Sequence, residues 1–572
     1  MVKKWFAVFV CFCLVAAPIT GCGKVQEEID PNKTQIYVSV YSSGYGTDWL
    51  KEIKRQFEAD YKEYQVIITP TNDGDLYSGA SMLNYNVYFT TNNYAFKELT
   101  GKNLFADLSD VYDNPAGNET RPVKEKVQDY ETMKQAFSYP GKSGIYALPF
   151  TKSVAGFVYD HGIFKENLEN GWLWPAENSS EVKSALTAQG IAFREEGSSL
   201  RFVSGTGTNY APDDVILRAG KDGVYGTYDD GQPQTLAEWK QMLALIKLDP
   251  KGSRPVTFSD SNGYVYTLPV LEAMLAQYEG LDNYRLFNTY EGVYERPGAD
   301  AVTVRPDEGY KVYDMEGIDK SFQFYYDNIC NPDNLAVNKD SDHRGAQEKF
   351  LLWDYRTSAN PGAAMLVEGI WWENEARTTF ESMSEQYAYG TRDYRYMLLP
   401  ELPGQLGIDG QGNGTVFAAQ ESGLTLVANK GSADVIAMSK KFVEYTLTDE
   451  NLRNFTAQTG VARPYKYEMT EAQLAGMTKF QRNVLQLMQD VDNVRIVSPV
   501  IDAYCAPVAY TSELGAYRFR TSVQEAAGKA TYSYPIEMRS RVADVSVYLA
   551  GMRSYYREQW AGFYRNAEGL YQ

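Results

Sequence analysis

Trp371-Trp372-Glu373 sets two indole planes and a carboxylate side by side. Such a trio suits a sugar, whose apolar C–H face stacks on a flat ring while its hydroxyl rim pairs with a carboxylate or amide. Adjacent residues point in different directions, so one of the two Trp is expected in a core. A second aromatic and polar run, Tyr41, Ser42, Ser43 and Tyr45, surrounds Gly44. Tyr88, Thr90 and Asn92 form a third. Gln420, Glu421 and Ser422 add hydrogen-bonding groups, and Arg463 adds a guanidinium able to grip hydroxyls or an acid. Each has a plain alternative: a core aromatic, a polar loop or a surface ion pair.

Other chemistries find less support. Asp222, Asp229 and Asp230 share a tight loop with Gly223, Gly226 and Gly231, and a hard cation needs such oxygens. The spacing is not that of an EF-hand, because it has no Asp-x-Asp-x-Asp run and no distal Glu. A Gly/Asp-rich hairpin is the first reading, and a structural calcium that orders the segment is the second. No other cofactor is expected. Catalytic signatures such as H-E-x-x-H and G-x-S-x-G are missing. Gly141-Lys142-Ser143 imitates the end of a P-loop, but the earlier glycine position holds Ala136. Gly44 and Gly46 likewise lack the third glycine of a dinucleotide loop, where Trp49 stands.

The chain has 572 residues, too long for one ordinary domain. Its 55 Lys and Arg against 74 Asp and Glu give a net charge of −19. That balance excludes a general nucleic-acid binder, which needs basic patches. Only His161 and His343 are present, too few for a multi-histidine metal enzyme. Tyr is in excess, 45 against 25 Phe and 9 Trp. Most of these are expected at the surface and between lobes, with Tyr41, Tyr45 and Tyr88 as ligand platforms.

Residues 1–21 read as a secretory signal: Lys3 and Lys4 precede an uncharged apolar run from Trp5 to Val15. Ile19-Thr20-Gly21-Cys22 resembles a bacterial lipobox, which implies that Cys22 carries diacylglycerol and becomes the new N-terminus. Residues 22–34 are then the lipidated cysteine and a polar tether. Cys330 and Cys505 remain, as two free thiols or one disulfide.

The elements that must position these groups alternate between strand and helix. Ile36, Val38 and Val40 make a strand. Leu50, Ile53, Phe57 and Tyr61 share one helical face, and Val66 to Ile68 make the next strand. This is the opening of an α/β unit. Thr235 with Glu238 and Thr470 with Gln473 read as capping boxes. A helix also starts at Ser432, and the stretch from Thr470 to Trp560 reads as mostly helical. Residues 113–122, 178–230 and 289–307 are loop-rich and read as insertions.

Four passages in order resemble the extracellular solute-binding proteins of ABC importers, family 1 of carbohydrate type, the class of maltose-binding proteins. Gly144-Ile-Tyr-Ala-Leu-Pro149 with Phe157-Val-Tyr-Asp160 and Phe164 resembles that family's crossing between lobes, with Asp160 in place of its usual Asn. Ala363-Ala-Met-Leu-Val-Glu-Gly-Ile-Trp371 resembles the segment whose Trp stacks on sugar. Met397 to Pro400 with Pro403-Gly404 resembles the strand and turn before the second crossing. Gly423 to Asn429, the Ser432 helix and Thr459 to Pro464 resemble the return through the first lobe.

The resemblance implies an α/β, two-lobed periplasmic-binding-protein-like fold of type II with large insertions. Residues 35–152 with 415–468 would form the N-terminal lobe, and residues 153–414 with 469–572 the C-terminal lobe. It further implies a monomeric, non-enzymatic lipoprotein on the outer face of a bacterial cytoplasmic membrane. This protein would carry an oligosaccharide in the inter-lobe cleft to permease subunits. A surface-anchored glycoside hydrolase and a non-transport glycan-binding or sensor lipoprotein are the competing expectations.

Overall fold

The computed structural model describes residues 28–42, 44–71, 84–91, 95–203, 214–260, 263–336, 341–505, 519 and 544–571. Ile36, Val38 and Val40 alternate along β1 (Thr34–Tyr41) and are fully buried. That period-two burial is what one face of a half-covered strand requires. β1 pairs in parallel with β2 (Tyr64–Thr71) and β3 (Val87–Thr90). The helix Asp48–Asp60 covers them by burying Trp49, Leu50, Ile53 and Phe57.

β4 (Leu148–Asp160) is a 13-residue strand with one partly exposed position, Lys152. β5 (Phe193–Glu196) and β6 (Ser199–Phe202) form a hairpin, followed by β7 (Ser253–Thr257). β8 (Gly292–Tyr294) and β9 (Val302–Val304) form a second hairpin. β10 (Gly362–Gly369), β11 (Tyr394–Met397), β12 (Thr415–Val427) and β13 (Val494–Val497) complete the strands among the described residues.

Nine strands make one mixed sheet in the order β2-β1-β3-β12-β4-β10-β7, with β11 beside β4 and β13 beside β12. β12 is itself 13 residues long and serves three partners. Leu424 to Val427 pair with β3, the middle pairs with β4, and Thr415 to Ala418 pair with β13. β4 gives its last residues, Ala155 to Asp160, to β10 and β11. The sheet therefore has a first block, β2-β1-β3, and a second block, β10-β7, joined by two long antiparallel strands. This is the mixed α/β architecture expected from the sequence.

Local signals translate directly. The capping boxes at Thr235 and Thr470 both form, and a third at Thr478 opens the helix Lys479–Gln489. The C-terminal stretch expected to be mostly helical is interrupted by β13. The described part of the segment 175–217 carries its own small core of Ala176, Leu186, Leu200, Phe202 and Ile216. It leads into a loop held beside β4 and β11 by Gln232, which donates to Tyr159 Oη at 3.2 Å and Tyr396 O at 3.0 Å.

Some of the tyrosines lie in cores rather than at the surface. Tyr88, Tyr112, Tyr159, Tyr278, Tyr284, Tyr290 and Tyr313 are among the largest fully buried side chains. Buried phenols need hydroxyl partners; Tyr112, for example, donates to Ala147 O at 2.9 Å. The long helix Val545–Tyr571 docks through such rings, with Tyr556 stacked 3.9 Å from Tyr313 and Trp560 4.9 Å from Tyr290. The short helix Pro499–Tyr504 contacts the helix Tyr130–Phe137 beside the first block and Leu281–Thr289 beside the second. Cys330 is buried and Cys505 half-buried, and no disulfide joins them.

Candidate functional site

Strand register fixes where the two blocks meet. In the first block Val40 lies opposite Phe89, and Thr90 lies opposite Leu424, so β1 and β3 end toward the middle of β12. In the second block Gly369 lies opposite Ala155, while Met365 lies opposite Tyr159, so β10 ends toward the middle of β4. β7 runs parallel to β10, with Thr257 opposite Leu366, and ends in the same direction. The carboxyl ends of both sets of parallel strands thus converge on residues 149–155 and 418–424. That is where open α/β sheets place ligands.

Trp371 stands just past the end of β10, where Ile370 N–H donates to Val154 O at 3.1 Å. It is 7% exposed and faces the loop after β1. Gly44, at φ 74°, lies so close that an added Cβ would sit 2.7 Å from Trp371 Cβ. On that loop Tyr45 Oη and Ser153 Oγ of β4 are 3.1 Å apart. Tyr41 packs edge-on to Tyr45 at 5.8 Å. Ser42 takes part through its main chain, accepting from Gly46 N–H at 2.9 Å. Trp371, Tyr41, Ser42 and Tyr45 are therefore brought together at one junction. Ser43, Asn92 and Cys22 lie outside the described residues, as do the side chains of Gln420 and Glu421.

The remaining ligand candidates read from the sequence stand apart from this junction, in the following surroundings. Trp372 has no exposed surface and sits among Tyr394, Phe350, Phe480 and Phe380, with ring centroids 5.0–6.0 Å away. It is the core member of the Trp pair. Glu373 is 1% exposed and points to Thr478, whose hydroxyl donates at 2.6 Å. Burial pushes its carboxyl up to about 7. Tyr88 is buried on β3, edge-on to Tyr85 at 5.7 Å.

Arg463 is 1% exposed and spends its donors on main-chain carbonyls: Nε on Phe150 O at 3.1 Å, and Nη1 on Thr446 O at 2.8 Å. Phe150, Phe455 and Tyr465 rings surround it at 5.3–5.8 Å. It clamps β4 to the first block, while its Nη2 has no hydrogen-bond partner.

Strand-end logic finds residues that the motif reading passes over. Ser259 and Asp260 follow β7 and are fully buried beside the end of β10. The polar run after an apolar strand, the same signal that marked Tyr41 to Tyr45, was present there. Glu368, within β10, is also fully buried, and burial with Glu375 nearby holds its carboxyl well above the usual range.

The acidic loop turns inward on itself. Asp222 Oδ1 accepts from Val224 N–H at 2.8 Å, and Asp229 Oδ2 from Lys221 N–H at 2.7 Å. Asp230 Oδ2 accepts from Gly226 N–H at 2.6 Å. Burial and the neighbouring Asp222 raise Asp229 to about 6. Among the described residues no group of three or more His, Cys, Asp or Glu is placed to hold a metal ion. These oxygens serve the loop's own amides. No helix among the described residues is long and apolar enough to cross a membrane.

No protein-family model matches the chain, and no curated protein does. Among solved structures, the chain is similar to a chitin oligosaccharide binding protein at 14% identity, covering 93% of this chain and 100% of that one, with a TM-score of 0.49. It is similar to the apo form of RafE from Streptococcus pneumoniae at 12% identity, covering 94% and 100%, with a TM-score of 0.48. A third is BlMnBP1, a binding protein of an ABC transporter from Bifidobacterium animalis subsp. lactis, in complex with mannobiose. It shares 14% identity, with coverage of 93% and 95% and a TM-score of 0.48.

Proposed function

We propose that this chain is a substrate-binding protein of an ABC transporter, lipid-anchored through Cys22 outside the cytoplasmic membrane. It captures an oligosaccharide between its two halves and passes it unchanged to permease subunits. One observation carries the reading: the carboxyl ends of β1, β3, β7 and β10 converge over two shared 13-residue strands, with Trp371 set against the Gly44 loop. Trp371 supplies the stacking plane, and Tyr41, Tyr45, Ser42 and Asp260 supply the rim of hydroxyls and carboxylate. The halves, residues 35–152 with 415–468 and 153–414 with 469–572, hinge at the crossing strands. Ligand binding favours the closed arrangement because only that arrangement contacts the sugar from both sides.

Calorimetry against an oligosaccharide panel, with chromatography of the recovered sugar, tests this. A stoichiometric complex with intact sugar is expected, and Trp371→Ala lowers its affinity by about tenfold to a hundredfold through lost stacking and burial. Cleaved sugar turns the reading to a hydrolase. Heat-silent titrations across the panel overturn it.

A further inference from the structure

The helix Asp449–Thr459 belongs to the first block, where its Phe455 packs 5.0 Å from Trp49. Its last carbonyls have no partner within the helix. Gly460, at φ 74°, caps the end by donating to Thr456 O at 2.8 Å, which leaves Thr459 O pointing outward. That carbonyl accepts a 2.7 Å hydrogen bond from Nδ2 of Asn374, a residue of the second block. The other end of the same carboxamide is also held, because Tyr389 Oη donates to Asn374 Oδ1 at 2.7 Å. Tyr389 is braced in turn by the Arg377 guanidinium 4.2 Å from its ring and by Gln481 Nε2 at 3.5 Å. Gln481 also lies across Gly460 itself, where an added Cβ would sit 2.5 Å from Gln481 Cγ.

Asn374 is thus pre-oriented by its own block to meet a helix end of the other. It stands one helical turn from Trp371, whose carbonyl accepts from Asn374 N–H at 3.1 Å. We propose that Asn374 is a closure latch: its carboxamide fastens the second block to the Thr459 helix end when the halves meet. It thereby raises the closed population and slows ligand release without touching ligand. The inference rests on the reading that the halves open and close around a solute. Trp371 and Asn374 share one short turn, so a solute that seats Trp371 also seats the latch.

Small-angle scattering of the purified full chain without sugar, paired with sugar-release rates by stopped flow, tests the latch. Asn374→Leu removes the donor. Asn374→Asp keeps the shape but sets a carboxylate oxygen against the Thr459 carbonyl, and it decides the matter if the leucine variant does not fold. A larger radius of gyration than wild type and roughly tenfold faster release, the size of one lost hydrogen bond, are expected. Thermal unfolding of the variants should stay near that of wild type. An unchanged radius with release within about twofold overturns the latch. Should wild type bind no sugar in the panel, the transport reading falls. The sugar-free scattering then decides the latch alone: expansion supports it, and an unchanged radius overturns it.

Discussion

Glu373 is held under tension by its surroundings. One carboxyl oxygen accepts from Thr478, the other has no hydrogen-bond partner, and burial pushes the group from 4.5 up to about 7. The folded chain therefore holds this proton more tightly than the unfolded one. Its contribution to stability is complete below pH 4.5 and is lost as the pH rises toward 7, by about 3 kcal/mol. Glu373→Gln should melt above wild type at pH 8 and close to it at pH 4.5, as read by paired thermal scans. A variant that melts below wild type at pH 8 would show that the carboxylate is used. Residue types brought Trp371 forward as one of three neighbouring candidates. They did not separate it from Trp372 or Glu373, because which neighbour turns inward depends on Phe350, Phe480 and Thr478, all distant in sequence. The partners of Arg463, the carbonyls of Phe150 and Thr446, were hidden from residue types for the same reason.

Among elements, those with local causes were the legible ones. Thr235, Thr470 and their partners three residues on announce helix starts, because the capping hydrogen bonds lie within one turn. β13 was hidden, since Val494 to Val497 becomes a strand only by pairing with β12. The helix Val545–Tyr571 could be foreseen but not its berth. Trp560 lies over Gly309 and Tyr290 and donates Nε1–H to Pro306 O at 2.8 Å. Trp560→Ala opens a cavity there and orphans that carbonyl, at a cost of about 3–5 kcal/mol. Denaturant unfolding should show the midpoint falling accordingly. A shift under about 1 kcal/mol would mean that the helix is dispensable to the fold.

The whole molecule was legible through its crossings, because motifs near 144–164, 363–371 and 423–464 fall on β4, β10 and β12. The tyrosine excess was not, since composition cannot tell a phenol bonded inside a core from one in a groove. The anchor is a prediction at this scale. Cys22→Ala should move the protein from the membrane fraction to the culture fluid, and retention in membranes would rule out lipidation at that residue. The two 13-residue strands carry a last consequence, for modularity. Each half of the sheet borrows its inner strands from segments that continue into the other half. A gene fragment encoding one half would thus end with part of β4 or β12 bare of its ladder partners. Such open edges recruit other chains. The halves of this sheet are not portable parts.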